Sequence, residues 1–206
     1  MQAPITMALI AVTCVVSWLA FKNPKLMDRL ILWPPAIQRQ RQYDRLLGYG
    51  FIHADFMHLF FNMFTLYFFG RMMEDVITRL AGSPLAYLGF YLGALLVSIL
   101  PTYLKHIGDP NYRSLGASGA VSAVLFAFIL VDPWATIGVF FIPMPAIVFA
   151  LLYVSYSIWM DKRGGDNVNH GAHLAGAAFG VLFMVALEPQ VLGHFVRQLG
   201  QPSFGF

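Results

Sequence analysis

Six stretches of the chain are almost wholly apolar: residues 5 to 21, 55 to 73, 84 to 104, 115 to 131, 136 to 158 and 168 to 188. Each is near the roughly 20 residues that a 30 Å hydrocarbon layer requires. None alternates with period two, and in lipid each segment must satisfy its own backbone N–H and C=O groups, so the pattern predicts six transmembrane helices. Six crossings would bring both ends to one side. Segment 22 to 54 is different: Pro24, Pro34 and Pro35 interrupt it, and Arg39, Arg41 and Arg45 accompany Leu30, Ile31, Leu32 and Trp33. Too apolar for a disordered connection, it reads as a long amphipathic excursion lying in the interface. Arg71, Glu74, Asp75 and Arg79 suggest a short polar turn after the second helix. Asp132-Pro133 and the run Asp161 to Asp166 divide the last three helices.

Composition supports this reading. Hydrophobic residues make up 58% of the 206 and charged residues only 11%, against roughly a quarter in soluble domains, and the mean hydropathy is +0.66. One all-α membrane domain covering 1–206 is the expected organisation. The net charge of +3 comes from basic residues scattered between apolar runs, which argues against a nucleic-acid partner. Cys14 is the single cysteine, so an intramolecular disulfide and a cysteine-rich zinc site are excluded. Met1-Gln2-Ala3-Pro4 has neither the positive start of a secretory signal nor the Arg/Ser-rich character of a transit peptide, so the first run is expected to stay as a helix. By the same elimination, a bacterial plasma membrane is the expected location. Ten of the basic residues follow the first, third and fifth helices, and the positive-inside rule taken alone would put the N-terminus outside.

Against this apolar background a few polar residues stand out as functional candidates: His53, Asp55 and His58 entering the second helix, Asn62 within it, Ser118 opening the fourth, and His170 and His173 opening the sixth. His58 and Asn62 are four residues apart and share a helix face. Ser118 lies in Gly116-Ala117-Ser118-Gly119, where the glycines clear space around the hydroxyl and the helix start offers free N–H groups to a developing negative charge. Such a setting suits an acyl-transfer nucleophile, although a serine there could equally be a plain helix cap. Gly176 and Gly180 form a GxxxG stripe beneath His173, and Gly119, Ala120, Ser122 and Ala123 form a matching small face. Close approach of the two would bring an imidazole to a serine hydroxyl. A metal or proton pathway through His53, Asp55, His58, His170 and His173 is the competing reading, weakened by the absence of HExxH and of any carboxylate but Asp55 near the histidines, and an aspartyl protease would need paired aspartates deep in two helices that the runs lack.

From about Arg45 to Gly180 the chain resembles the rhomboid family of intramembrane serine proteases. The resemblance rests on Arg45, His53 to His58 running into Asn62, Gly70 and Glu74, GASG around Ser118, and Ala172-His173-Leu174-Ala175-Gly176 followed by Gly180. It implies a six-helix bundle with a structured, partly membrane-embedded loop at 22 to 54 between helices 1 and 2, and a serine endopeptidase that cuts transmembrane segments of membrane proteins without metal or cofactor. Ser118 would be the nucleophile and His173 the general base. His58, Asn62 and the Ser118 backbone N–H would be oxyanion donors, and Arg45 and Glu74 would hold structure. The partners implied are transmembrane protein substrates and membrane lipids, with the N-terminus in the cytoplasm. A rhomboid-like binding module that holds helices without cutting them is the alternative. Two residues depart from the pattern: Asp44, where an aromatic is common, and Ser122, where a tyrosine often packs on the base. Ser122 is therefore expected to leave His173 less constrained.

Overall fold

In the computed structural model, which describes residues 3–139 and 142–202, the chain is mostly helical. α1 (Pro4–Lys22) is followed by three short helices, α2 (Pro24–Leu30), α3 (Pro34–Gln40) and α4 (Arg45–Gly48), each of the first two opened by the proline that ends an extended residue. α5 (Phe56–Thr65) passes through a π turn at Leu66–Gly70 into α6 (Arg71–Ala81). Then come α7 (Leu85–Lys105), α8 (Ser118–Val131), a hairpin of β1 (Thr136–Val139) and β2 (Ile142–Pro145), α9 (Ala146–Arg163), α10 (His170–Leu187) and α11 (Gln190–Leu199). Among the described residues three helices are long and apolar enough to cross a bilayer: α1, α7 and α10.

Several boundaries differ from the apolar pattern. The second helix does not end at residue 73. It runs on to Ala81, because the residues that look like a polar turn form an amphipathic helix burying Met73, Glu74 and Ile77, and it stops only at Gly82 with φ +70°. The fifth run does not open as a helix at 136. Thr136↔Pro145 through Val139↔Ile142 pair as antiparallel strands, since Pro143 and Pro145 cannot donate to a helix and hold the preceding residues extended. Phe140 and Phe141, which fall within that run, lie outside the described residues. The fourth helix begins at Ser118, not 115, because Gly116 has φ +113°. α11 was not expected; it is held under the end of α8 by Trp134 Nε1 donating to the Gln198 carbonyl at 2.8 Å and by His194 Nε2 to the Val131 carbonyl at 3.0 Å.

α8 is the axis of the fold: all residues from Gly119 to Leu130 are buried. α10 lies directly against it. A Cβ on Gly176 would run into the Gly119 carbonyl, and one on Gly180 into the Ala123 carbonyl, so the two backbones touch where the small-residue stripes meet. α7 completes the core through Phe90, whose ring lies 5.9 Å from Phe179 and 4.8 Å from Phe183 on α10. Two buried ionisable residues fix the rest. Glu74 accepts the N–H groups of Ile5 and Thr6 at 3.0 and 2.7 Å, placing a carboxylate at the positive end of α1. Arg45 donates Nε to Gln42 Oε1 at 2.7 Å and Nη1 to the carbonyls of Asp28 and Ile31, closing α2 and α4 onto each other. Nearby on the surface, a hydrogen bond from Arg29 holds the Asp44 carboxyl below the usual carboxylate range. Segment 22 to 54 thus carries α2, α3 and α4.

Gly180→Val should lower thermal stability in detergent by about 1 to 3 kcal/mol, because the added methyls meet immovable backbone. Gly89→Ala, where nothing lies within 4 Å of the new Cβ, should change it by less than about 0.5 kcal/mol. Equal melting temperatures for the two variants would contradict the close α8–α10 packing.

Candidate active site

The site forms where the start of α8 meets the start of α10. Ser118 is the first residue of α8, and Val121 N–H is the first donor to close a helical bond, onto the Ala117 carbonyl, so the N–H groups of Ser118, Gly119 and Ala120 precede the intrahelical ladder. His173 is the fourth residue of α10, whose start is capped by Asn169 Oδ1 accepting the Ala172 N–H at 3.0 Å. The glycine contacts bring these helices together, and His173 Nε2 lies 2.7 Å from Ser118 Oγ. Both residues are half-buried. Thr102 Oγ1 donates to Asn169 Oδ1 at 2.9 Å, and Asn169 Nδ2 donates to Tyr112 OH at 3.1 Å and Ser114 Oγ at 3.2 Å. One asparagine thus ties α10 to α7 and to the segment leading into Ser118.

The loop before the serine is fixed from the other side by His53, which is fully buried. Its Nε2 faces the Ala117 N–H at 3.4 Å and must accept there, so Nδ1 carries the proton and donates to Ser17 Oγ at 3.0 Å, while Ser17 donates to the Phe51 carbonyl at 3.0 Å. Gly116 N–H donates to the Tyr49 carbonyl at 2.9 Å. Gly116 is needed for room as well as for conformation and Gly119 for room: the His58 ring would be within 2.8 Å of a Cβ at 116, and Ser98 Oγ would collide with one at 119.

Of the oxyanion candidates, His58 is half-buried and its ring sits against Gly116, 4.9 Å from the His53 ring. Asn62 is buried one turn further along α5, and one hydrogen of its amide is engaged with the His58 carbonyl at 2.9 Å. Asp55 serves as the α5 cap, accepting the His58 N–H at 2.8 Å. His170 turns away to Asp166, at 3.1 Å, and that hydrogen bond holds the Asp166 carboxyl below its usual range. The histidines of the metal reading lie in two ring pairs, His53 with His58 and His170 with His173, and among the described residues no group of three or more His, Cys, Asp or Glu could hold an ion.

Sequence reasoning missed Tyr153 of α9. Its ring stacks on the His173 imidazole, centroids 6.1 Å apart and 23° from parallel, and its hydroxyl lies 2.6 Å from Ser122 Oγ. His173 is thus walled by an aromatic despite the serine at 122. The signal was weak, since Tyr153 is one of nine tyrosines and lies in an apolar run with no motif around it.

A helical membrane protein in which a serine at the start of a buried helix touches a histidine on a glycine-packed neighbour defines the class, and the comparisons agree with it. Residues 40–190 match the Rhomboid domain family, and the chain belongs to that family. It is 33% identical over 181 residues, 79% of its length, to RHOMBOID-like protein 12, mitochondrial, of Arabidopsis thaliana, covering 52% of that protein. Rhomboid-like protein 11, chloroplastic, from the same plant is 34% identical over 67% of this chain and 50% of its own length. Rhomboid protein 1, mitochondrial, of Saccharomyces cerevisiae is 32% identical over 67% of this chain and 40% of its own. The chain thus spans about half or less of these relatives. It is an integral, multi-pass membrane protein, but the expected bacterial plasma membrane gains no support, because the names of these relatives place them in mitochondria and a chloroplast.

Replacing His53 with Leu leaves the Ala117 N–H buried without an acceptor. The expected outcome is a stability loss of about 1 to 3 kcal/mol and faster amide exchange confined to residues 114 to 119. Exchange unchanged in that segment would show that His53 does not hold it.

Proposed function

We propose that the chain is an intramembrane serine endopeptidase that cleaves transmembrane segments of membrane proteins with a Ser118–His173 dyad. The observation that carries this reading is the 2.7 Å contact between Ser118 Oγ and His173 Nε2 at a helix start. An imidazole with Nε2 unprotonated accepts the serine proton as Oγ attacks the scissile carbonyl carbon. The carbonyl oxygen becomes an oxyanion beside the free N–H groups of α8, with His58 and the remaining Asn62 hydrogen as further donors. His173 then gives its proton to the leaving amine as the C–N bond breaks. Water, deprotonated by His173, hydrolyses the acyl-enzyme and returns Ser118.

The fold supports a site that lies inside the bilayer and is still wet. With 14 residues α8 is about 21 Å long, less than the hydrocarbon thickness, so both of its ends cannot reach water. In the arrangement we infer, a single domain crosses six times through α1, α5 with α6, α7, α8, α9 and α10. The loops 22–54, 106–117 and 164–169 gather at one end, joined by the Leu32↔Ser114 bridge, the Trp33 Nε1 bond to the Pro110 carbonyl and the Asn169–Tyr112 bond. Ser118 sits below that loop layer, on the side away from the N-terminus, and the half-buried state of Ser118, His58 and His173 gives water a way in. Substrate would present a locally unwound stretch, since a helical peptide hides its carbonyls.

A fluorophosphonate probe should label the purified protein in detergent, and Ser118→Ala and His173→Ala should each abolish labelling. Asn62→Ala should retain the fold and slow cleavage of a model transmembrane substrate by about 10²- to 10³-fold. A well-folded wild type that takes no label would overturn the protease reading in favour of a module that binds helices without cutting them.

A further inference from the structure

We propose that Tyr153 is the positioning residue of the His173 imidazole, so that α9, which carries neither member of the dyad, sets the orientation of the base. The inference rests on the dyad reading above and goes beyond it by naming what holds the ring.

An imidazole turns easily about its outer torsion, and only one orientation puts Nε2 on the serine. Among the described residues no carboxylate is hydrogen-bonded to His173, and Asp166 is bonded to His170. What faces the ring instead are two aromatic surfaces: Tyr153, nearly parallel at 6.1 Å, and His170, edge-on at 6.0 Å and 76°. Tyr153 is itself fixed at both ends. Its hydroxyl is 2.6 Å from Ser122 Oγ, one turn beyond Ser118 on α8, and its ring lies 5.5 Å from Phe126 and 5.4 Å from Phe149. The phenol therefore spans three helices: rooted in α9, bonded to the helix of the nucleophile and stacked on the base of α10. The small residue at 122 is what makes this possible, since it leaves room for a ring arriving from α9 and supplies the hydroxyl that anchors it.

Tyr153 also stands out within its own helix. The buried residues of α9 are Ala146, Ala150, Ser157 and Met160, and Ile147, Ala150 and Val154 line an open groove of about 280 Å³ together with Phe126, Ile129 and Leu130 of α8. With the small buried residues Ala150 and Ser157 before and after it, the phenol links α9 to both the helix of Ser118 and the His173 ring, while Tyr156 packs against His170 at 5.6 Å. The seating of α9 is thereby transmitted to the base.

The test compares Tyr153→Leu, Tyr153→Phe, Ser122→Ala and the double variant Tyr153→Leu/Ser122→Tyr. Three readouts are taken: fluorophosphonate labelling rate, melting temperature, and the ring resonances of His173 in histidine-labelled protein. Tyr153→Leu should slow labelling about tenfold and move the His173 resonances, with Tyr153→Phe much closer to wild type. The double variant, which brings a ring back from α8, should recover labelling to within about threefold of wild type, a rescue that a merely structural role for Tyr153 would not give. Unmoved His173 resonances with wild-type labelling in Tyr153→Leu, or a double variant no better than the single, would overturn the proposal. Should Tyr153→Leu not fold, Ser122→Ala decides, since it frees the hydroxyl while keeping the ring, and unshifted His173 resonances there would also overturn it. A wild type that takes no label removes the protease reading alone, because the resonances report the position of the ring whether or not Ser118 reacts.

Discussion

Two helix backbones in direct contact set the geometry of everything else in this protein. Gly176 and Gly180 of α10 lie on the carbonyls of Gly119 and Ala123 of α8, an approach that a Cβ at either glycine would prevent. In a bilayer there is little hydrophobic gain from joining two apolar helices, so their association depends on dispersion contact and on how closely the backbones can come. The same closeness fixes the register of α10 on α8. Ser118 lies one residue before Gly119 and His173 three before Gly176, so the contact that holds the helices also determines that the two side chains meet at hydrogen-bond distance. The stabilising contact and the chemical one are adjacent steps of a single interface.

Around that interface the protein resolves the polar groups that lipid cannot. The loop before Ser118 needs an unusual path, with φ +113° at Gly116, and its donors are met individually: Gly116 by the Tyr49 carbonyl and Ala117 by His53. Arg45 takes up carbonyls left at the turns of the 22–54 segment, and Glu74 takes up N–H groups at the start of α1. Two of the most costly residue types to bury thus work as backbone caps. This explains why residues that a hydropathy reading would flag as functional divide into two kinds. Arg45, Glu74, His53 and Asp55 are spent on the backbone, whereas Ser118 Oγ and His173 Nε2 meet each other.

The apolar periodicity made the helical character and most of the segment positions legible, because spanning runs are long and strongly composed. It misjudged 71–81 because an amphipathic helix at a membrane edge looks like a polar turn when charge alone is counted. It misjudged 136–145 because apolar composition does not register that Pro143 and Pro145 cannot join a helix. The Ser118–His173 contact was legible because it follows from matched stripes of small residues, a local pattern on each helix. Tyr153 and the His53–Ala117 bond were not, because each joins residues more than 19 positions apart with no motif between them. A partner that arises from the tertiary arrangement alone leaves no periodic trace in the chain.

The ring on His173 illustrates how such a site can change its parts without losing its geometry. In a water-poor setting a base that must hold one orientation can be fixed by a charged hydrogen bond or by packing, and a buried carboxylate carries a desolvation cost that an aromatic face does not. Packing also leaves freedom over which helix supplies the face, since a stack needs a surface at the right distance and no particular direction along the chain. A serine at 122 therefore does not remove the wall. It moves the root of the wall from α8 to α9 and turns the vacated position into the anchor of the incoming phenol. On the reading proposed above, the orientation of the His173 ring depends on a third helix being seated, a condition that a wall rooted beside Ser118 would not impose.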